Sequence, residues 1–231
     1  MTWPRYTEVG DCGLLIAFAD RESEAAHARV IALDRRLGCA DIPGLVECVP
    51  ALVNLMVVFD PLVTTHTALR AAVGDLVTES LRASAGDQGA ATTQHNIPVC
   101  FDADLAPDLP AVARACDMSE DAVITCLTAT PITVAMYGFA PGYAYLTGLP
   151  PALHVPRKPA PVRDVPKGSL LIAGPQALIT TLTMPTGWSI LGRSRFQVMD
   201  PEGDPQFRMA VGDTVQFRRV PRAEFEAGAR P

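Results

Sequence analysis

The second half of the chain is dominated by a stretch from Tyr137 to Arg193, which opens with YGFAPGYAYL (residues 137–146). It continues through the proline-rich loop PRKPAPVRDVPKG (156–168) and ends with PTGWSILGR (185–193). Glycine and proline set backbone directions locally, so loops built from them hold polar groups without a long helix behind them. Because sites usually lie on loops held by a rigid scaffold, we expect the functional residues in this stretch.

Around this stretch, the chain beyond Pro131 shows short strand-like runs and no helical period. Glycine, proline and aspartate separate the runs, which are 132–137, 169–173, 178–182, 189–191, 196–199 and 214–220. Short strands divided by turn residues are typical of a closed or nearly closed β-barrel. We therefore predict a barrel domain over residues 93–231, with a polar tail that frays from Glu224 onward.

The N-terminal part of the chain shows a different pattern, in which helical and strand periods alternate. Apolar runs at 13–18, 45–49, 52–59 and 95–101 predict strands, and residues 83–90 predict a turn or linker. Apolar residues at helical spacing predict two helices, one through Ala26, Val30, Leu33 and Leu37 and one through Leu69, Val73 and Leu76. The order strand, helix, strand, strand, helix, strand is that of the ferredoxin-like fold, so we predict an α+β protein whose first domain spans residues 1–92.

A segment at 107–128 joins the two parts and predicts two short helices. The pair suggests a helix-turn-helix, but Arg114 is its only basic residue. We therefore interpret it as a packing connector within the barrel domain.

Composition excludes several functions for these 231 residues. The formal net charge of -6 argues against binding nucleic acid through a basic face. No apolar run is long enough to cross a bilayer, and the N-terminus lacks the apolar core of an export signal, so we expect a cytoplasmic protein. The six cysteines form no Cys-x-x-Cys pair and the four histidines have no ligand spacing, so we predict no metal site.

Positive charge gathers in the central stretch of this otherwise acidic chain. We predict a carboxylate or phosphate ligand there, because arginine grips such groups in two places and lysine acts as a point charge. The predicted substrate-binding residues are Arg157, Arg163, Lys167, Arg193 and, as an amide donor for a carbonyl oxygen, Gln176. The alternative is that the cations are solvated or paired with nearby aspartates, and that Gln176 is a turn residue.

Aromatic and turn residues of the same stretch predict the wall of a pocket or an interface: Phe139, Pro141, Gly142, Tyr143 and Trp188. The alternative is that the rings, Tyr145 and Trp188 above all, fill the core. No P-loop is present, and no serine has a histidine beside it in sequence, so we assign no catalytic residue.

Several motifs together are specific for one family: GD (10–11), GLVE (44–47), FDP (59–61), GFAPGY (138–143), VPKGS (165–169), GW (187–188) and GR (192–193). On these motifs the chain resembles the family of the B subunit of 5-oxoprolinase, also called allophanate hydrolase subunit 1 and the KipI family. It is also similar to the C and D subdomains of the carboxyltransferase part of urea carboxylase.

The resemblance implies a small α+β domain followed by a cyclophilin-like β-barrel. It implies a hetero-oligomer with a C-type partner that supplies the A and B subdomains, and with a third, A-type protein. Such a complex resembles an ATP-dependent enzyme that opens the lactam of 5-oxoproline to glutamate. ATP is then used by the complex, no cofactor is covalently bound to this chain, and the stretch from Tyr137 to Arg193 faces the interface between the subunits.

Two segments depart from the family pattern. Where the family usually has Gly-Gly-Gln-Thr-Gly-Ile-Tyr-Pro, this chain has GPQALITT (174–181), and where it usually has Ser-Pro-Gly-Gly-Trp, this chain has MPTGW (184–188). A hydroxyl, a glycine and a tyrosine are therefore missing from the segment expected to touch substrate, although the barrel is expected to tolerate the changes.

Two other functions stay open. A KipI-like inhibitor would dock on a histidine kinase through exposed Phe139, Tyr143 and Leu146. A protein of the allophanate or urea carboxyltransferase type would need biotin from another polypeptide, because this chain has no Met-Lys-Met motif.

Overall fold

The computed structural model describes residues 2–82 and 92–228. The chain divides into two compact units, Met1–Ala91 and Thr92–Pro231. The predicted turn or linker at 83–90 lies outside the described residues. Within the described parts of the chain, no helix has both the length and the apolar character needed to cross a membrane.

The first unit is a four-stranded antiparallel sheet with two helices. Its elements are β1 (Arg5–Val9), β2 (Gly13–Ala17), α1 (Glu24–Gly38), β3 (Leu45–Pro50), β4 (Asn54–Phe59) and α2 (His66–Ser80). The strand order is β1-β2-β4-β3. Each helix begins after a hydroxyl residue that accepts a backbone N–H, Ser23 from Ala26 at 3.1 Å and Thr65 from Ala68 at 3.3 Å.

The core of this unit forms where the apolar helix faces meet the sheet. The four residues predicted to share a face of α1, namely Ala26, Val30, Leu33 and Leu37, are at most 2% exposed. They pack in one cluster with alternate residues of β2 and β4, such as Leu14, Ile16, Leu55 and Val57. The helical spacing in the sequence therefore identified the buried face correctly.

One strand of the predicted ferredoxin-like order lies elsewhere. The run at 95–101 does form a strand, β5 (Gln94–Val99), but it pairs in parallel with β13 (Thr214–Arg219) in the second unit. The sheet edge beside β2 is instead occupied by β1, which was not predicted. The mixed α and β fold class is confirmed, whereas the placement of 95–101 in the first sheet was wrong, because β1 already fills the free hydrogen-bonding edge of β2.

The second unit is a barrel built on a seven-stranded sheet. Besides β5 and β13, its elements are α3 (Leu109–Ala115), α4 (Glu120–Ala129), β6 (Ile132–Tyr137), β7 (Ala144–Thr147), β8 (Val162–Val165), β9 (Ser169–Ala173), β10 (Gln176–Ile179), β11 (Met184–Thr186), β12 (Ser189–Arg193) and α5 (Arg222–Ala227). The strand order is β12-β9-β10-β7-β6-β13-β5, and a bridge between Cys100 and Arg193 joins the two edges. The barrel prediction is confirmed.

Two local predictions for this unit were wrong. The run at 196–199 is not a strand, apart from a single bridge between Met199 and Phe207. The tail does not fray at Glu224, because α5 holds Phe225 at 9% exposure and Arg222 reaches both carboxylate oxygens of Asp104 at 2.9 and 3.0 Å. The last part of the predicted tail, 229–231, lies outside the described residues. By contrast, the two connector helices form as predicted and pack against the barrel interior.

The barrel wall is buried on both faces where the candidate site lies. In β9, Leu170 and Ile172 belong to the interior cluster, while Leu171 packs on the opposite face with Tyr143 and Trp188. Both faces of β9 are therefore apolar, as expected for a fully covered strand. The covering layer includes the separate two-stranded sheet β11-β8. The proline-rich loop that contains β8 is thereby anchored to the barrel.

Candidate functional site

A cavity of about 290 Å³ opens beside the seam where the barrel closes. Three cationic residues contribute to its lining, namely Lys167, Arg193 and Arg195. Two aromatic rings, two small residues and an amide complete the lining: Phe196, Phe225, Gly168, Ser194 and Gln197. The loop before β9, the end of β12 and helix α5 thus meet at one place, although they are far apart in sequence.

The seam fixes the backbone of Arg193. Its N–H donates to the Cys100 carbonyl oxygen and its own carbonyl oxygen accepts from the Cys100 N–H, both at 2.9 Å. Gly192 makes this closure possible, because a Cβ there would lie 2.7 Å from Val99 Cγ1 and 2.9 Å from the Cys100 oxygen. The guanidinium of Arg193 therefore projects from a rigid position at the mouth of the cavity.

Gly168 brings Lys167 to the same mouth. Its φ is +84°, and a Cβ at this position would lie 2.2 Å from the Ser194 carbonyl oxygen. The two chain segments approach closely because Ser194 N donates to the Gly168 oxygen at 2.7 Å. Arg193 Nε then donates to the Lys167 carbonyl oxygen at 3.3 Å. Only glycine fits this crossing.

The hydroxyl residues beside the crossing are engaged with the backbone. Ser169 Oγ donates to the Pro166 carbonyl oxygen at 2.7 Å, and Thr180 Oγ1 donates to the same oxygen at 2.9 Å. Both side chains are buried. These two hydrogen bonds hold the turn that presents Lys167, and the Ser169 hydroxyl donates to a backbone oxygen and not to a side-chain base.

Arg195 and Phe225 complete the site, and sequence reasoning missed both. Arg195 Nε donates to the Phe225 carbonyl oxygen at 2.8 Å, and its guanidinium carbon lies 4.7 Å from the centre of the Phe225 ring. The Arg-x-Arg spacing at 193 and 195 was a local signal that could have identified Arg195, because alternate residues of an extended segment point the same way. No local pattern indicated that α5 would return to this place.

A row of aromatic rings lies on the outer face of the barrel. Ring centres are separated by 5.4 Å from Phe139 to Tyr143, 5.8 Å from Tyr143 to Tyr145 and 6.0 Å from Tyr145 to Trp188. Arg157 ends the row, with its guanidinium carbon 5.6 Å from the Trp188 ring centre. Burial raises the pKa of Tyr143 to about 12, with a further contribution from Tyr145.

The aromatic rings of this row differ in exposure. Tyr143 and Trp188 are buried at 4% and 6% exposure, and Leu146 is buried inside the barrel, so the prediction that Tyr143 and Leu146 are exposed was wrong. Phe139 is 76% exposed and has a φ of +71°, which is uncommon for a bulky residue. Strained backbone of this kind often marks functional sites.

The turn that carries Phe139 is held by its neighbours. Thr181 Oγ1 donates to the carbonyl oxygen of exposed Pro141 at 2.7 Å. Gly142 is buried, has a φ of +71° and leaves no room for a Cβ, which would lie 2.8 Å from Met199 Cβ. Pro141 and Gly142 therefore fix the direction in which the Phe139 ring is presented.

The structure brings together only part of the predicted substrate-binding set. Lys167 and Arg193 line the cavity, whereas Arg157, Arg163 and Gln176 are not among its lining residues. Arg163 is exposed on β8, and Gln176 begins β10 opposite Ala173. Lys158, which follows Arg157 in the chain, forms an ion pair with Asp108. The Asp108 carboxylate also accepts the Ile190 N–H at 2.7 Å.

A histidine–aspartate pair lies at the start of the parallel strands β5 and β13. His95 Nε2 and Asp213 Oδ2 are 2.7 Å apart, and Asp213 also accepts the backbone N–H groups of Thr93 at 3.0 Å and Ala210 at 2.8 Å. Burial opposes ionisation of Asp213, but these hydrogen bonds outweigh it and lower its pKa. The sequence offered no signal for this pair, because its members are 118 positions apart.

Over residues 2–82 and 92–228, no group of three or more histidine, cysteine, aspartate or glutamate side chains is arranged to hold a metal ion. The chemistry that the lining residues themselves support is the binding of an anion by fixed cations.

Comparison with known proteins places this geometry in context. The model of the carboxyltransferase domain, subdomain C and D, matches residues 4–209. The B subunit of 5-oxoprolinase from Bacillus subtilis (strain 168) is 30% identical over 227 residues, which are 95% of this chain and 94% of that protein.

Solved structures show the same fold. The crystal structure of TTHA0988 matches 91% of this chain with a TM-score of 0.77 and 33% identity, and this chain spans only 40% of that longer chain. The K. lactis urea amidolyase matches 96% of this chain with a TM-score of 0.75. Only 15% of the amidolyase chain is covered and identity is 16%, so that likeness concerns the fold alone.

Proposed function

Because the chain belongs to the family of carboxyltransferase domains, subdomain C and D, we propose that it is a subunit of an ATP-dependent complex that opens the lactam of 5-oxoproline to glutamate. In this proposal the chain has no activity by itself. It works with a C-type partner that supplies the A and B subdomains, and with an A-type protein. The bacterial relative is named as the B subunit of 5-oxoprolinase, which supports both the substrate and the need for further subunits.

The observation that carries the proposal is the meeting of Lys167 and Arg193 in one cavity. Both were predicted from sequence to bind an anionic substrate, and they lie 26 positions apart. Convergent polar groups in a small cavity with aromatic walls are the usual features of a ligand site. The cations therefore hold an anionic group of the reacting molecule in a fixed place.

The chemistry needs such positioning. A lactam is a resonance-stabilised amide, so its carbon is a poor electrophile. Transfer of the terminal phosphoryl group of ATP to the lactam oxygen, with ADP leaving, activates that carbon. Addition of water, release of phosphate and cleavage of the ring C–N bond then give glutamate. The role of this chain is to bind and orient anionic groups, because fixed cations stabilise charge that moves during phosphoryl transfer.

In this proposal the exposed end of the outer row of rings binds the C-type partner. Phe139 is exposed at the end of the row, and exposed aromatic anchors often carry much of the binding energy of an interface. Arg157 and Arg163 lie in the proline-rich loop but do not line the cavity. They are proposed to bind the substrate carboxylate at the interface with the partner. Gln176 is proposed to bond the carbonyl oxygen.

The test is co-expression of the three subunits followed by an ATP-dependent assay for glutamate. We expect turnover of 5-oxoproline by the complex and none by this chain alone. Parallel assays with allophanate and urea distinguish the alternative carboxyltransferase function. Turnover of urea or allophanate in place of 5-oxoproline would reject the proposed substrate.

The KipI-like alternative keeps one supporting observation, the exposed ring of Phe139. Its other two predicted anchors, Tyr143 and Leu146, are buried. A pull-down with the full chain discriminates the two functions. We expect recovery of the C-type partner, and recovery of a histidine kinase instead would favour the inhibitor.

A further inference from the structure

The cavity at the barrel seam carries more positive charge than a single carboxylate requires. Lys167, Arg193 and Arg195 line it, and among residues 2–82 and 92–228 no acidic residue contributes to its lining. The whole chain has a formal net charge of -6, so the cavity is locally positive in a protein that is negatively charged overall. A ligand with one negative charge would leave two of the three cations uncompensated.

The two acidic residues beside Phe225, which also lines the cavity, do not neutralise these cations. Glu224 and Glu226 flank Phe225 on α5, but Glu224 pairs with Arg218 at 2.6 Å and Glu226 pairs with Arg222 at 2.7 Å. Across residues 2–82 and 92–228, the ion pairs closer than 4.0 Å include none of the three cavity cations. The positive charge of the cavity is therefore available to a ligand.

Both arginines are held so that their terminal nitrogens are free to bind. Arg193 Nε donates to the Lys167 carbonyl oxygen at 3.3 Å, and Arg195 Nε donates to the Phe225 carbonyl oxygen at 2.8 Å. Within the part of the chain that the structure describes, no further hydrogen bond engages either guanidinium. A guanidinium fixed through Nε presents its remaining donors in a fork that matches the oxygens of a phosphoryl group.

We propose that this cavity binds a phosphoryl group carrying two or more negative charges, with Arg195 as a third ligand beside Lys167 and Arg193. The inference rests on the proposed function and narrows it, because the cavity then holds phosphate rather than the carboxylate of 5-oxoproline. That carboxylate is left to Arg157 and Arg163 outside the cavity. The phosphoryl group could belong to ATP or to the phosphorylated lactam, and both share this chemistry.

The experiment uses the full chain without partners and titrates it calorimetrically with pyrophosphate at low ionic strength, where charge interactions are least screened. Acetate and 5-oxoproline serve as single-charge probes. We expect pyrophosphate to bind at least about tenfold more tightly than either probe. Absence of pyrophosphate binding, or equal binding of acetate, overturns the inference.

Variants assign the binding to the cavity. Arg195→Gln is expected to weaken pyrophosphate binding about tenfold, because one charged hydrogen-bonding partner is lost. Arg114→Gln is the matched control, since Arg114 is exposed on α3 and does not line the cavity. An equal loss in both variants would mean that the whole surface, and not this cavity, attracts the anion.

A second variant changes the charge of the cavity without removing a side chain. Gln197 is exposed in the lining, and Gln197→Glu adds a negative charge with almost no change of shape. We expect about tenfold weaker pyrophosphate binding with an unchanged melting temperature. Unchanged affinity in this variant contradicts the site.

Titration with ATP and with inorganic tripolyphosphate separates the two sources of the phosphoryl group. Equal affinities are expected, because the lining recognises phosphate oxygens. A preference of about tenfold for ATP would support the inference and assign the phosphoryl group to ATP, the first of its two sources. None of these titrations depends on turnover, so a complex that opens 5-oxoproline while this chain ignores pyrophosphate would reject the phosphoryl site and keep the proposed function.

Discussion

The carbonyl oxygen of Ser194 lies 2.2 Å from the place where a side chain on Gly168 would begin. This crossing of two backbone segments brings the Lys167 and Arg193 side chains to one cavity. It depends on a missing Cβ, so the cavity and the stability of the barrel seam are linked.

Gly168→Ala is expected to destabilise the fold by about 2 kcal/mol or more, because strain at positive φ adds to a clash with backbone. Gly174→Ala is the matched control, since Gly174 also has positive φ but a Cβ there has nothing within 4 Å. The control is expected to cost about 1 kcal/mol. Urea unfolding measures both variants, and equal losses would show that the clash with Ser194 is relieved at no cost.

In the active complex, Arg193→Ala is expected to lower kcat at least about tenfold with a smaller change in the KM for 5-oxoproline. The reason is that the cavity is proposed to act on the phosphoryl group. Arg163→Ala is expected to raise that KM, because Arg163 is proposed to bind the carboxylate from outside the cavity. Steady-state kinetics over both substrates checks the pair, and the reversed pattern would exchange the two roles.

Phe139→Gly is expected to stabilise the isolated chain by about 1 kcal/mol, because glycine accepts the φ of +71° without strain. The same change is expected to weaken binding of the C-type partner at least about tenfold, since an exposed aromatic anchor is lost. A binding titration with the purified partner measures the effect. Leu62→Ala is the control, as Leu62 is 95% exposed in the first unit. A comparable loss of binding in the control would remove the special role of Phe139.

Asp213→Asn is expected to cost about 1–3 kcal/mol at neutral pH, because the carboxylate accepts three hydrogen bonds while its side chain is only 10% exposed. The folded-state pKa of Asp213 lies below its ordinary value. The stability that the ionised Asp213 carboxylate contributes is therefore fully present above the unfolded-state pKa of about 3.9. It is lost as pH falls through the lower folded-state pKa.

The difference in unfolding free energy between the native chain and Asp213→Asn should accordingly be largest above about pH 5 and shrink toward pH 3. Asp121→Asn is the control, because the Asp121 side chain is 80% exposed in its pair with Arg219. Denaturant titrations across this pH range measure both. A gap for Asp213→Asn that widens at low pH would contradict the assigned direction of the pKa.

Local spacing in the sequence was sufficient for several parts of the structure. The α1 face through Ala26 and Leu37, the two connector helices and the strand character of 95–101 all follow from periods of 3.6 or 2 residues, which depend on backbone geometry alone. The same reasoning marked Lys167 and Arg193 as anion-binding candidates, because charge and turn residues are visible in any single chain.

Tertiary structure alone decided which strands pair and which side chains meet. The partner of β5 is a strand about 120 positions away that begins at Thr214, and the edge of β2 is taken by β1. Arg195 and Phe225 join the cavity only because α5 returns to the seam. Pairing and cavity formation depend on contacts between distant residues, and these contacts leave no periodic trace in the residues that make them.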